Sequence, residues 1–460
     1  MITVEEMRRL EKNASFYGLS EETMMELAGK GLAYEVLNRR EGISSVVLIG
    51  GTGNNAGDGI VALRYMMPFV DSVEAYIIGS RKNLSELLKK QIRIAEKLGI
   101  PVFFDRYGEK AIRRIKRLSN RDVLLDGLFG IGLKGKLGEP YVSLIRAMNA
   151  SKAYKVAIDV PSGDDRISFE ADLTVTFHDA KGKVSGDLSI VDIGLKPFSK
   201  LTGPGDVLLA YKRRDPLGHK GKHGVVSVVA GGRRYVGAAI LSSQAASILA
   251  DLSFILTPTG DPKEFRKYPE IIAERLSDGI DLLKKSNAIV VGPGMDEDAL
   301  EDTLKILNEN VPEVPKVVDA TALRKEFVKK LKGPKILTPH AGEIRRLGFE
   351  PTPEGASMAA IEYDAVVVLK GHVDYITDGK NMLKNPRGKP SMTVGGTGDV
   401  LTGIIAGFLA RGAMPFRAAA AGAFLNAYAS ERLPDEGLKP TMLIEEITRV
   451  LNEIVSWSSY

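Results

Sequence analysis

A chain of 460 residues is longer than one ordinary core accommodates, so two or three domains are expected. Its 44% hydrophobic and 26% charged residues are those of a globular protein and exclude a disordered chain. Lys and Arg (63) barely exceed Asp and Glu (58), and a net charge of +5 is too small for a dedicated nucleic-acid binder. The absence of cysteine excludes disulfides, thiolate metal sites and cysteine nucleophiles. Glutamine occurs only at Gln91 and Gln244, which fits a composition poor in thermolabile residues. No apolar run approaches the ~18 residues that span a bilayer, and no leader-like stretch opens the chain, so a cytoplasmic protein without a membrane partner is expected.

Residues 1–40 carry apolar positions at helical spacing, with Met7, Leu10, Met24, Met25, Leu27, Leu32 and Val36 as expected core contacts. The run 45–50 reads as a fully buried strand. Strands are expected at 73–78, 123–126, 154–160 and 173–177, and a helix at 84–98. This alternation predicts a mostly parallel sheet covered on both faces, with ligands bound where strands end.

Three post-strand loops stand out. The first, Gly50 to Gly59, holds Asn54, Asn55, Ala56, Gly57 and Asp58, placing amides and a carboxylate beside phosphate-compatible backbone; the alternative is an Asx-rich turn. The second, Asp126 to Lys136, interleaves glycines with two lysines, and suits either a phosphate-bearing ligand or a solvated surface loop. In the third, Asp159 ends a strand before Pro161-Ser162-Gly163, so it either enters a cleft or caps a turn. The oxygens of Asn55, Asp126 and Ser162 suit a hard cation, and the lack of His or Cys argues against zinc.

Glycine, proline and positive charge concentrate over 201–224. A solvated linker is expected over 203–216, with a boundary that gives domains 1–210 and 211–460. Beyond it, strands at 225–229, 288–291, 316–318, 335–337 and 366–369 each end in Gly, Pro, His or Asp turns, as when several strand ends share one cleft. Near the end, Gly395, Gly396, Thr397 and Gly398 lead into an apolar helix carrying Asp399 in its first turn. Exposed N–H groups and the positive dipole end make an anion site there. Locally, Asp399 is either a dipole-complementing residue or a catalytic carboxylate.

These strings resemble a known pair of families. His219-Lys220-Gly221, Gly231-Gly232, Tyr235 to Ala239, Gly292-Pro293-Gly294, Asp319 to Leu323, Thr338 to Glu343, Leu369-Lys370-Gly371 and Gly395 to Leu401 resemble the ADP/ATP-dependent NAD(P)H-hydrate dehydratases of the ribokinase-like superfamily. Gly53 to Gly59, Asp126 to Gly132 and Asp159 to Gly163 resemble the NAD(P)H-hydrate epimerases. The departures are Ala56 for Gly, Ala341 for Pro, Thr321 for Asp, and Arg233-Arg234 where a Ser is common.

The resemblance implies an α/β chain of two domains, a Rossmann-like three-layer α/β/α epimerase and a ribokinase-like dehydratase, acting on NADHX and NADPHX with ADP or ATP as a homo-oligomer. It implies that Asn54, Asn55, Ala56, Gly57 and Asp58, with Gly130, Ile131, Gly132, Leu133, Lys134, Gly135 and Lys136, hold the hydrated dinucleotide. Asp159 would contact it and move protons, while Asn55, Asp126 and Ser162 bind potassium.

In the second domain Gly237, Gly294, His340 and Asp399 would contact substrate. Lys370, Gly371, His372, Val373, Asp374, Lys389, Gly395, Gly396, Thr397 and Gly398 would surround a magnesium nucleotide. Asp399 would accept the hydroxyl proton, although a helix N-terminus lowers a carboxylate's pKa and weakens it as a base. Two rivals are a ribokinase-like kinase for a small alcohol, and a first domain that only binds or dimerises.

Overall fold

The computed structural model describes residues 1–130, 135–182, 184–265 and 267–457. It divides into two compact units, Met1–Phe198 and Ser199–Tyr460.

The first unit contains a sheet of β1 (Ser45–Gly50), β2 (Ser72–Ile77), β3 (Val102–Phe104), β4 (Val123–Gly127), β5 (Tyr154–Ile158), β6 (Leu173–Phe177) and β7 (Asp187–Val191). Their spatial order is β3-β2-β1-β4-β5-β6-β7, and every neighbouring pair is parallel. Alternate residues of β1 serve opposite faces. Val46 and Leu48 join a core with Met7, Leu32, Ile60 and Ile92 from helices on one side. Val47 and Ile49 join a second core with Ile115, Leu144 and Met148 on the other. The three-layer arrangement follows from that alternation. The chain order reverses direction between β1 and β4, so the crevice beyond their carboxyl ends is the topological switch point.

The second unit contains β8 (Val225–Val229), β9 (Leu252–Thr257), β10 (Ile272–Arg275), β11 (Ala288–Val291), β12 (Lys316–Val318), β13 (Lys335–Leu337), β14 (Ala365–Leu369), β15 (Asp374–Thr377) and β16 (Met382–Asn385). The order is β10-β9-β8-β11-β12-β13-β14-β15-β16; only the β14–β15 and β15–β16 pairs are antiparallel. The switch point lies between β8 and β11, where Gly231 N–H donates to the Pro293 carbonyl at 2.9 Å. No helix among the described residues is long and apolar enough to cross a membrane.

Two expectations need correction. The stretch 203–216 is not all solvated linker: Pro204–Ala210 is a helix with Pro204, Gly205, Asp206, Val207 and Ala210 buried. Pro204 opens it where no N–H partner is needed, and Asp206 accepts from the Gly203 N–H at 2.9 Å. This helix belongs to the second unit, so the division falls at Phe198/Ser199, ahead of the expected boundary at 210. Strands β3, β7, β10, β15 and β16 were not expected. They lie towards the sheet margins, and β7 leaves Leu188 and Ile190 exposed, so the continuous apolar run of a central strand is missing. β9, which was not expected either, does carry such a run.

Candidate functional site

At the switch point of the first unit, the glycine loop after β1 ends at Gly53, and Asn54 opens the helix Asn54–Met66. Residues 54–58 therefore form its first turn rather than a free Asx turn. Asn55 Nδ2 donates to the Phe129 carbonyl at 3.1 Å. Ser162 Oγ donates to Asp126 Oδ1 at 2.7 Å, and Ser162 N–H to Oδ2 at 2.8 Å. Phe129 N–H in turn donates to Ser162 Oγ at 2.9 Å. The three loops thus converge through Asn55, Asp126, Phe129 and Ser162.

Asp126 is fully buried, makes no ion pair among the described residues, and burial pushes its carboxyl up to about 6 despite the Ser162 and Leu128 hydrogen bonds. An all-oxygen donor set around an uncompensated carboxylate fits a hard monovalent cation. Gly130 stands where a Cβ would lie 3.7 Å from the Asn55 side chain. Gly135 has φ +87°, and Lys136 is exposed. Ile131, Gly132, Leu133 and Lys134 lie outside the described residues.

Asp159 follows β5 with φ +66°, a left-handed conformation unusual for a residue other than glycine. Its carboxylate is buried against Lys181, whose Nζ lies 2.5 Å from Oδ1. Burial, together with Asp159, pushes Asp58 well above the usual carboxylate range, against the pull of Lys181. Burial also pushes Glu11, on the helix Val4–Phe16, up to about 7. Lys181 and Glu11 did not emerge from the sequence, because nothing local marks a lysine in the turn after β6 or a glutamate on the first helix.

In the second unit, Gly396 caps the helix Thr397–Ala410 with φ +102°, and Thr397 Oγ1 fastens the turn to the Met392 carbonyl at 2.8 Å. A Cβ on Gly398 would stand 3.4 Å from Lys370 Nζ and 3.9 Å from Asp319 Oδ2, so the glycine lets this pair approach the helix start. Lys370 donates to Asp319 Oδ1 at 2.9 Å and lies 4.0 Å from Glu343 Oε2. Both carboxylates are buried.

Burial, with Asp319 and Glu343, pushes Asp399 up to about 7, against Lys370. The expectation of a lowered Asp399 is therefore overturned: two neighbouring carboxylates and desolvation outweigh the helix dipole. The same change makes Asp399 a better-matched base near neutral pH. Asp319 was named only as part of a motif, although it ends a strand, the cue that singled out Asp126 and Asp159.

The other expected residues divide. His340 caps the helix Ala341–Arg346, Nδ1 accepting from Gly342 N–H at 2.9 Å, and its side chain stays 57% exposed and available. Gly237 opens the helix Gly237–Ser247 with free space where a Cβ would be. Gly294 has φ +63° and backs onto Tyr235, where a Cβ would meet the carbonyl at 2.7 Å. Gly371, His372 and Gly395 are exposed and Val373 is half-buried.

Asp374 is turned to the Gly371 N–H and the Asn385 amide, which gives it a structural task; burial raises its carboxyl to about 6. Lys389 is anchored on the Leu433 carbonyl and on Asp435 at 2.9 Å. Arg233, one of the departures, pairs with Asp298 at 2.6 Å and Asp296 at 3.4 Å. Among the described residues, no group of three or more His, Asp or Glu could hold a metal ion.

Comparison with known proteins gives a consistent picture. The model of the NAD(P)H-hydrate dehydratase family matches residues 226–453, and that of the YjeF-related protein N-terminus matches residues 21–182. The bifunctional NAD(P)H-hydrate repair enzyme Nnr of Archaeoglobus fulgidus is 38% identical over 94% of this chain and 93% of its own. Its namesake from Methanopyrus kandleri is 36% identical over 98% of this chain and 96% of its own. Among solved structures, a ribokinase-like superfamily protein of Enterococcus faecalis superposes with a TM-score of 0.51 at 24% identity, over 55% of this chain and 96% of its own. The last likeness concerns fold alone.

Proposed function

The chain belongs to the family of bifunctional NAD(P)H-hydrate repair enzymes, and we propose that its two domains carry out the two halves of that repair. The first interconverts the R and S hydrates of NADH and NADPH. The second phosphorylates the ring hydroxyl of the S form from ADP or ATP and eliminates phosphate, restoring the dihydronicotinamide. The observation that carries this reading is that each family match contains its own lysine–carboxylate ion pair beside a glycine-opened helix.

Phosphoryl transfer needs positioning and charge stabilisation more than covalent chemistry. The N–H groups of Gly395 to Gly398 face the transferring phosphoryl, Lys370 adds positive charge, and Asp399 takes the hydroxyl proton. Gly237, Gly294 and His340 bind the hydrated dinucleotide. Magnesium would be held by the nucleotide phosphates and would supply charge neutralisation there, in keeping with its preference for substrate oxygens over an all-protein cage. In the first domain, Asn55, Asp126 and Ser162 would hold potassium, whose charge would neutralise Asp126 and steady the three loops. Asp159 moves protons at the hydrated ring.

The test is incubation of the full chain with chemically hydrated NADH, an R and S mixture, with ADP and ATP in separate reactions. Absorbance of the reduced nicotinamide should return, inorganic phosphate should appear in equal amount, and both epimers should be consumed. A stable phosphorylated product without recovered absorbance would overturn the dehydratase half. Consumption of the S form alone would remove the epimerase half.

A further inference from the structure

The bonds to Asp159 are unevenly shared between its two oxygens. Oδ1 receives the Lys181 ammonium at 2.5 Å, the Thr176 hydroxyl at 3.0 Å and the Phe177 N–H at 3.4 Å. Oδ2 has no hydrogen-bond partner among the described residues. The backbone is fixed too, since Asp159 N–H donates to the Val175 carbonyl at 2.8 Å while φ stays at +66°. One oxygen is clamped and the other is left to face a ligand.

Lys181 is itself held in place. It is 4% exposed, and its Nζ lies 5.9 Å from the centre of the Phe177 ring. The preceding residue is tied to the amino-terminal segment, Ala180 accepting from Ile2 N–H at 2.9 Å. The charged and titratable groups around the pair are Asp58, from the first turn of the helix Asn54–Met66, Glu11, from the helix Val4–Phe16, with Lys12 and Glu21 acting on Glu11, and His178 in the turn after β6, which burial lowers and on which Asp179 and Lys181 also act. One lysine therefore serves three carboxylates, and its short contact is with Asp159.

A charge-balancing lysine could sit anywhere among the three. This one binds a single oxygen of Asp159, which among the three is the acid that directly follows a sheet strand. We propose that Lys181 is a positioning residue of the first domain's site, clamping Oδ1 of Asp159 so that Oδ2 is presented to the hydrated nicotinamide ring as its proton acceptor. The inference rests on the epimerase reading above and deepens it. Losing the cation removes the neighbour that lowers Asp58 and Glu11, so the acid cluster around Asp159 takes up protons at higher pH.

The experiment measures R-to-S conversion against pH for the full chain, Lys181→Met and Lys181→Arg. The Met variant should lose about 100-fold in kcat, in the range of general acid–base contributions, with KM within about threefold of the parent. Its acid limb should move to higher pH, and Lys181→Arg should return that limb to the parent position even if its rate stays low. Wild-type kcat in Lys181→Met, or a lost rate with an unmoved limb, would overturn the inference. Dehydration by the second domain, followed in the same preparations, reports whether the chain is intact. Should Lys181→Met fail to fold, the limb position in Lys181→Arg decides. If the parent chain shows no R-to-S conversion at all, the epimerase reading fails, a result distinct from failure of the lysine's role.

Discussion

Asp159 and Asp399 each lie near one lysine and two further acids, yet the two lysines choose different partners. Lys181 bonds to Asp159 itself at 2.5 Å. Lys370 bonds instead to Asp319 at 2.9 Å, and burial, with the neighbouring Asp319 and Glu343, raises Asp399 to about 7. The difference teaches that the surroundings of a carboxylate depend on its burial and on which acid captures the shared cation. Residue type and a helix N-terminus do not settle them. A third buried lysine is the control. Lys316 donates to the carbonyls of Val311, Pro312 and Lys332 at 2.7, 2.8 and 2.9 Å, pairs with no carboxylate among the described residues, and is pushed down to about 8 by burial.

The largest expected effect is on Asp399. Asp399→Asn should lower ADP-dependent recovery of reduced nicotinamide by about 1000-fold or more while nucleotide still binds, read by absorbance and calorimetry. Undiminished turnover would reduce Asp399 to a helix-terminus residue. Lys370→Met should cost about 100-fold and move the acid limb of dehydration above the parent's, because Lys370 is the neighbour that lowers Asp399. An unmoved limb would break the comparison between the two lysines.

In the parent chain that limb should fall near pH 7, since the base must be ionised and Asp399 ionises there. A limb near pH 4 would show that the nucleotide-bound site restores an ordinary carboxylate. Lys316→Met should leave both activities intact but destabilise the second unit by about 2–4 kcal/mol in denaturant, because three buried carbonyls lose their donor.

The smallest effect is on melting. The folded value of Asp399 lies above its unfolded value of about 4, so the folded state holds a proton that the unfolded state has released between about pH 4 and 7. Its contribution is present below that window and lost as pH rises through it. Asp399→Asn should therefore melt higher than the parent at pH 8 and gain nothing at pH 4. An equal gain at both values would mean that packing, not charge, separates the two.

Much of the site was legible because glycine loops and strand-end acids are local signals. The turn at Gly395 to Gly398 announces itself through consecutive residues without side chains, and Asp126 and Asp159 through an acid that closes an apolar run. The central strands β1, β4, β8 and β11 are continuous apolar segments for the same reason, being buried on both faces. The marginal strands β3, β7, β15 and β16 carry weaker patterns because one edge or face is not covered. The helix Pro204–Ala210 was hidden among glycine, proline and charge, and is recognisable only through its burial in the second unit.

Sequence by itself determined two parallel α/β units, the crevices at their switch points and the acids that border them, since strand periodicity and glycine placement are properties of neighbouring residues. Tertiary structure alone decided the electrostatic surroundings of those acids. Glu11, Asp58 and Lys181 reach Asp159 from three separate segments, and Asp319, Glu343 and Lys370 surround Asp399 in the same way. Coulomb energy and desolvation depend on distance in space and on water, and neither is written in the spacing of residues along the chain.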